Sequence, residues 1–225
     1  DYAQQVWQQS EGLFDITSGI LRQAWDFRAA RLPQQAEIEA LLPRVGWDKV
    51  EWSTPRIRLP LAGMELDFGG YVKEYAADAA VRALRAQGIE HGFVELGGDI
   101  AVIGPHPDGS PWRIGVRHPR KTDTALAMLE LYEGALASSG DYERSITVDG
   151  RRYGHILNPK TGWPVQSLAS VSVVAPQCLL AGTATTVAML KESAAKDWLQ
   201  MLELPYLAVT DEATIFGTLK AAMVC

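Results

Sequence analysis

The chain has 225 residues, and 21 Lys+Arg against 27 Asp+Glu give a formal net charge of -6 and a pI near 5.3. That balance excludes a general nucleic-acid surface, which needs clustered cations. The 47% hydrophobic content suits a globular core, and no apolar run reaches the ~18 residues that cross a bilayer.

Two cysteines, Cys178 and Cys225, are too few for a disulfide framework. The histidines at 91, 106, 118 and 155 lack zinc-type spacing. The chain opens on Asp1 with no visible signal peptide, so this end does not fix a compartment. Without a long linker, low-complexity tract or repeat, residues 1–225 read as one domain.

Tyr2 to Gly12 reads as a helix with Val6 and Leu13 on its buried side. Leu13-Phe14-Asp15-Ile16-Thr17-Ser18 follows, apolar with one acid inside. Either Asp15 or Thr17 caps a helix through Ile20 and Leu21, or Phe14 lies against a flat ring with Asp15 on its polar edge. Pro33 to Leu42 is a second helix, stopped by Pro43. Trp47 to Trp52 and Arg56 to Leu59 read as strands turning through Ser53-Thr54-Pro55. The tryptophans at 25, 47 and 52 are expected in the core, where large aromatics dominate.

Met64 to Leu66 reads as a strand end, and Tyr71 to Gln87 as a helix stopped by Gly88. Ala76, Ala80 and Leu84 recur at i, i+4 and i+8 and predict its apolar face. Between strand and helix, Gly69-Gly70 lets backbone approach a ligand and aims a helix N-terminus at it. Asp67 is suited to a hydroxyl, a ring N–H or a metal's water, and Lys73 in the first turn to a phosphate. The plain alternative is an ordinary glycine turn.

His91 to Leu96 is a strand running into Gly97-Gly98-Asp99 and a further strand to Ile103. Trp112 to Val116 alternates as a strand. Ala125 to Tyr132 and Gly134 to Ser139 suggest a hairpin around Glu133-Gly134, and Asp149-Gly150 joins Ile146–Val148 to Arg151–Tyr153 in the strongest hairpin signal of the chain. His155-Ile156-Leu157-Asn158-Pro159 leads into a tight turn. His155 is either a buried histidine bonded to backbone or a site residue, since its titration lies near neutrality. Leu168 to Ala175 is a strand. Cys178 to Leu190 is a helix whose Thr183, Thr185 and Thr186 either back-bond to carbonyls or form a polar face. Lys191 to Leu202 is a further helix, and Tyr206 to Thr210 a last strand.

Five stretches in this order are similar to the ApbE family, the FAD:protein FMN transferases. They are Phe14-Asp-Ile-Thr17, Asp67-Phe-Gly-Gly-Tyr-Val-Lys-Glu-Tyr-Ala-Ala-Asp78, Glu95-Leu-Gly-Gly-Asp-Ile100, Ser138-Ser-Gly-Asp-Tyr-Glu-Arg144 and His155-Ile-Leu-Asn-Pro-Lys-Thr-Gly-Trp-Pro164. Together they span about Tyr2 to Leu190. The resemblance implies a single domain over residues 1–225 of a chain trimmed of the family's lipoprotein leader and first strand.

The resemblance implies an α/β (α+β) fold of mixed, largely antiparallel sheets packed with helices, a T-fold-like architecture. It places Leu13, Phe14 and Asp15 along a flavin. Asp67, Lys73, the glycine-lined backbone at Gly97 and Gly98, and His155, Ile156 and Leu157 lie around the rest of FAD. Lys73 and His155 carry the catalytic roles, and the Gly70 carbonyl and Thr186 are Mg²⁺ ligands.

Two positions depart from the family pattern. Gly182 stands where an Asp, four residues before the Thr, would complete the metal site, and Asn158 replaces a common Asp. Metal-assisted cleavage is then expected to weaken unless Asp141 or another acid moves in. The implied reaction moves FMN from FAD to a threonine hydroxyl of a partner flavoprotein, releasing AMP. The alternative is an FAD-binding relative that has lost transfer. The acceptor by family analogy is a flavin-carrying subunit of a redox complex. The implied location is the periplasmic side of the bacterial envelope, with the cytoplasm as the alternative.

Overall fold

A strand rich in β-branched residues, Leu168–Ala175, is buried on both faces, and the fold is assembled around it. The computed structural model describes residues 1–28, 31–121 and 123–219; Cys225 lies outside them. In chain order the elements are α1 (Tyr2–Gln9), α2 (Gln35–Glu39), β1 (Glu51–Ser53), β2 (Arg56–Arg58), α3 (Val72–Ala86), β3 (Gly92–Leu96), β4 (Asp99–Gly104), β5 (Trp112–Arg117), β6 (Ala125–Leu131), β7 (Ala135–Gly140), β8 (Ser145–Val148), β9 (Arg151–Gly154), β10 (Leu168–Ala175), α4 (Cys178–Lys191), α5 (Ala195–Met201), β11 (Tyr206–Thr210) and β12 (Ile215–Gly217).

Six strands form one sheet in the order β12-β11-β10-β7-β4-β3, every neighbouring pair antiparallel. Val171 and Val173 of β10 and Ala137 of β7 face the α4 side, where they pack with Ala181, Ala184, Val187 and Ala188. Each fully buried Val contributes about 1.5–3 kcal/mol. Small residues at 181, 184 and 188 bring the helix close to the sheet, and α1 covers it through Ala3 and Val6. Val102 and Leu136 face the other way, onto the β5–β6 ribbon through Ile114, Val116 and Leu129. A separate lobe joins Ile20, Leu21, Trp25 and Ile38 to the β8–β9 hairpin through Ile146. Asp149 and Gly150 both take positive φ, 50° and 77°, the tight turn expected of that pair.

Several elements differ from the sequence reading. The buried positions of α3 are Glu74, Ala77 and Val81, while Ala76 and Leu84 are exposed. The Ala-rich pattern repeats on adjacent faces, and contact with α4 and β4 decides between them. Glu133-Gly134 makes no hairpin: β6 pairs with β5, whereas β7 pairs with β4 and β10. The chain crosses between sheets there, and a Cβ on Gly134 would meet the Ala175 carbonyl at 2.8 Å.

Trp47–Lys49 is a 3-10 turn, and only Glu51–Ser53 is extended. Met64–Leu66 is not a strand; its tie to the Leu13–Ser18 segment is one bond from the Asp67 N–H to the Ile16 carbonyl, 2.7 Å. Helix α2 is shorter than expected, Pro43 lies inside a 3-10 turn, and β12 follows β11. Trp25 and Trp47 are core residues, but Trp52 is exposed.

Asp78 of α3 accepts the Cys178 and Leu179 N–H groups, both at 2.9 Å, and so caps α4 from its neighbour. Cys178 is fully buried beside Ala77 and Val81. Burial, reinforced by the Asp99 and Asp78 carboxylates, pushes its thiol up to about 12 from 9.0. The unfolded chain therefore loses this proton first as pH rises. The stability held by the neutral thiol is complete below pH 9 and declines as pH approaches 12. The expected outcome is a fall in unfolding free energy above pH 9, nearing ~1.4 kcal/mol per pH unit, and a smaller fall in Cys178→Ala. Urea titrations across pH 8–11 provide the check (the range is roughly that of thiol ionisation), and equal slopes in both forms would contradict the assignment.

Candidate active site

One cavity of about 480 Å³ opens where the Leu13–Ile16 segment, the start of α3, the end of β7 and the turn after β9 converge. A ring-sized apolar wall comes from Leu13, Phe14, Ile156 and Leu157, and the polar floor from Lys73, Glu74, Ser138, Ser139 and Thr186. Gly70 borders the same space; a Cβ there would meet the Phe14 ring at 3.1 Å, so the absence of a side chain lets backbone and ring approach.

Asp15 lines the cavity but is also a structural fastener. Its Oδ1 accepts the Thr17 N–H (2.8 Å) and hydroxyl (2.6 Å), and its Oδ2 accepts the Trp47 N–H (2.8 Å). Neither Asp15 nor Thr17 makes a side-chain cap on the 3-10 helix Ser18–Gln23; Asp15 instead folds its own turn onto Thr17 and ties it to the 3-10 turn that replaces the expected strand at Trp47. Asp67 sits at the rim. Its Oδ1 accepts the Gly69 N–H (2.7 Å) and its Oδ2 pairs with Arg22 (3.1 Å).

Lys73 projects from the first turn of α3 between two acids. It pairs with Asp99 and with Glu74, the latter at 3.0 Å. Asp99 is buried and also accepts the Ser138 N–H at 3.0 Å. Burial pushes its carboxyl up to about 6, although Lys73 and Ser138 both favour the ionised form. Burial alone would lower the Lys73 ammonium, but the Asp99 and Glu74 carboxylates outweigh it and hold that group above its usual range. The His155 ring keeps an exposed edge at the rim. Surrounding protein, and then the Arg144 guanidinium, holds its pKa below the ordinary 6.5, which favours the neutral imidazole at pH 7.

The cavity lining includes Leu13, Phe14, Asp15, Asp67, Gly70, Lys73, Gly97, His155, Ile156, Leu157 and Thr186. Gly98 is placed elsewhere: it closes the β3–β4 turn and donates its N–H to Glu95 Oε1 at 2.7 Å. Both glycines adopt positive φ, 61° and 89°, so that turn requires them. Asp141 does not reach the cavity, because Arg120 holds it through two bonds of 2.5 and 2.7 Å. Asn158 organises its own turn by accepting the Lys160 N–H at 2.9 Å.

Sequence reasoning missed Glu74, Asp99 and Ser139 as site residues. Glu74 is the informative one. It is buried, and its Oε2 has no hydrogen-bond partner among the described residues. Its signal was the spacing Glu74, Ala77, Val81, which places an acid on the buried stripe of α3.

The fold is α+β, and its cavity joins an apolar wall to a polar floor where one lysine lies between two acids. The ApbE family profile matches residues 1–209, and the chain belongs to the ApbE family. It is 33% identical over 219 residues to an FAD:protein FMN transferase of Rhodobacter capsulatus, covering 93% of this chain and 41% of that protein. A Vibrio cholerae protein of the same description is 30% identical, over 89% of this chain and 62% of the relative. The chain thus spans about two-fifths to three-fifths of these curated relatives. Among solved structures, the ApbE protein of Thermotoga maritima superposes with a TM-score of 0.85 at 35% identity, covering 96% of this chain and 73% of that one. The flavin transferase ApbE from Vibrio cholerae gives 0.84 at 28% identity, covering 96% and 72%.

Replacing Asp15 with Ala strands two backbone N–H groups and a hydroxyl. The expected loss is about 2–4 kcal/mol of unfolding free energy, the range for breaking a buried hydrogen-bond network. Denaturant unfolding measures it; a variant as stable as the parent would assign Asp15 to ligand contact alone.

Proposed function

We propose that this chain is an FAD:protein FMN transferase, moving FMN from FAD to a threonine hydroxyl of a partner flavoprotein and releasing AMP. The observation that carries this reading is the convergence of Phe14, Lys73, His155 and Thr186, from four distant parts of the chain, on one cavity. The descriptions of the relatives support it. The apolar wall suits a flat ring, and the floor beside Lys73 suits a diphosphate. A new bond joins the acceptor oxygen to the FMN phosphorus as the bridging bond to AMP breaks. His155, neutral and open to the cavity, takes the proton of the attacking hydroxyl. Lys73 holds negative charge on the leaving phosphate in place.

The donors around the floor also fit Mg²⁺. The Gly70 carbonyl and the Thr186 hydroxyl border the cavity together with a buried carboxylate oxygen that lacks a partner. Mg²⁺ is commonly held by one or two carboxylates plus substrate phosphates. No group of three or more His, Cys, Asp or Glu among the described residues forms a metal cluster, so such a site would depend on the substrate's own oxygens. When bound there, Mg²⁺ would neutralise the diphosphate.

The acceptor in this reading is a flavin-carrying subunit of a redox complex, on the periplasmic face of the bacterial envelope. No helix among the described residues is long and apolar enough to cross a membrane.

Incubation with FAD, Mg²⁺ and such an acceptor domain is expected to give flavin fluorescence on the acceptor that survives denaturing electrophoresis, with one AMP released per FMN attached. FAD that binds tightly yet stays intact, with a dark acceptor, would favour the flavin-carrier alternative that Gly182 suggests.

A further inference from the structure

The missing acid at position 182 and the unpartnered acid at position 74 occupy the same space. A Cβ built on Gly182 would meet Glu74 Cγ at 2.5 Å, Oε1 at 2.6 Å and Cδ at 2.8 Å. The Glu74 carboxyl group therefore lies where a side chain at 182 would begin, and a residue larger than glycine there requires that carboxyl group to swing aside. Glu74 is 4% exposed, its Oε1 pairs with Lys73 and its Oε2 has no partner among the described residues. Burying an ionised oxygen without a partner is costly, and its retention beside Thr186 points to a cation.

We propose that Glu74 is the anionic metal ligand of this site, its carboxylate reaching from α3 into the place that an acid at 182 would fill from α4. The inference rests on the transferase reading for the identity of the substrate, and it identifies which residue completes the metal site. Glu74, Thr186 and Gly70 line the same cavity, and their carboxylate, hydroxyl and carbonyl oxygens would make an all-oxygen donor set suited to a hard divalent cation. With one carboxylate in that set, the remaining donors come from water and from the diphosphate, so cation and FAD bind with positive coupling. Lys73 stays nearby on Asp99, which lets Glu74 turn to the cation without leaving the lysine unpaired.

The test measures FAD affinity by quenching of flavin fluorescence, with and without Mg²⁺, and Mn²⁺ binding by electron paramagnetic resonance, with and without FAD. The proteins are the parent, Glu74→Gln, Gly182→Asp and the double variant Glu74→Gly/Gly182→Asp. The parent should bind FAD more tightly with Mg²⁺. Glu74→Gln should still bind FAD but lose that enhancement, with Mn²⁺ bound at least about tenfold more weakly, as expected when a ligating carboxylate is removed. Gly182→Asp alone should be destabilised because it brings a second carboxylate against that of Glu74. The double variant returns one acid to the site from the other helix and should recover both stability and cation coupling.

Cation coupling in Glu74→Gln equal to that of the parent overturns the proposal, as does a parent that binds no cation with or without FAD. A parent that binds Mn²⁺ through Glu74 but never binds FAD would instead overturn the transferase reading and leave the ligand assignment standing. Circular dichroism of each variant separates loss of the ligand from loss of the fold.

Discussion

At the start of α3 two buried carboxylates share one half-exposed lysine, and the rest of the site follows from how these charges are satisfied. Lys73 pairs with Asp99 of β4 and with Glu74 of its own helix. Buried charges persist only when paired and hydrogen-bonded, so this triad fixes the first turn of α3 against the sheet. The Asp99 bond to the Ser138 N–H extends the constraint to β7, and Ser139 extends it to α4 through Thr185 at 2.9 Å. Two helices and two strands are thereby joined around the floor of the cavity.

The triad leaves one oxygen over. Asp99 is matched by Lys73 and a backbone N–H, whereas Glu74 has only a shared lysine for two oxygens. In a helix pair already joined by the Asp78 cap on α4, an unmatched carboxylate is a local cost in a well-determined frame. Such local costs tend to gather at functional sites, where binding relieves them. Gly182 belongs to the same arrangement. Read as a deletion, it removes a metal ligand; beside Glu74, it provides the room the other acid needs.

Much of the frame was legible in the chain. The β-branched run of β10, the Asp149-Gly150 hairpin and the Gly-Gly turns each carry a local signal that tertiary packing reinforces. Phe14, Lys73 and His155 were also identifiable as site candidates from the order of their motifs, and Thr186 from what the family resemblance implies. What could not be read was pairing across distance. Ala76 and Ala77 are equally apolar neighbours, and only the position of α4 decides which is buried. The Glu133-Gly134 turn looks like a hairpin until β7 is claimed by β4 and β10. For Glu74 the spacing to Ala77 and Val81 signals burial, but Gly182, which faces it, lies 108 positions away (182 minus 74), and only the packing of α4 on α3 brings the two together.

Crystals soaked with FAD and Mn²⁺, examined for anomalous scattering from the metal, test the central claim most directly. The account predicts a single peak within coordinating reach of Glu74 and Thr186, beside the diphosphate. A metal bound elsewhere on the diphosphate, with Glu74 still turned to Lys73, would contradict it.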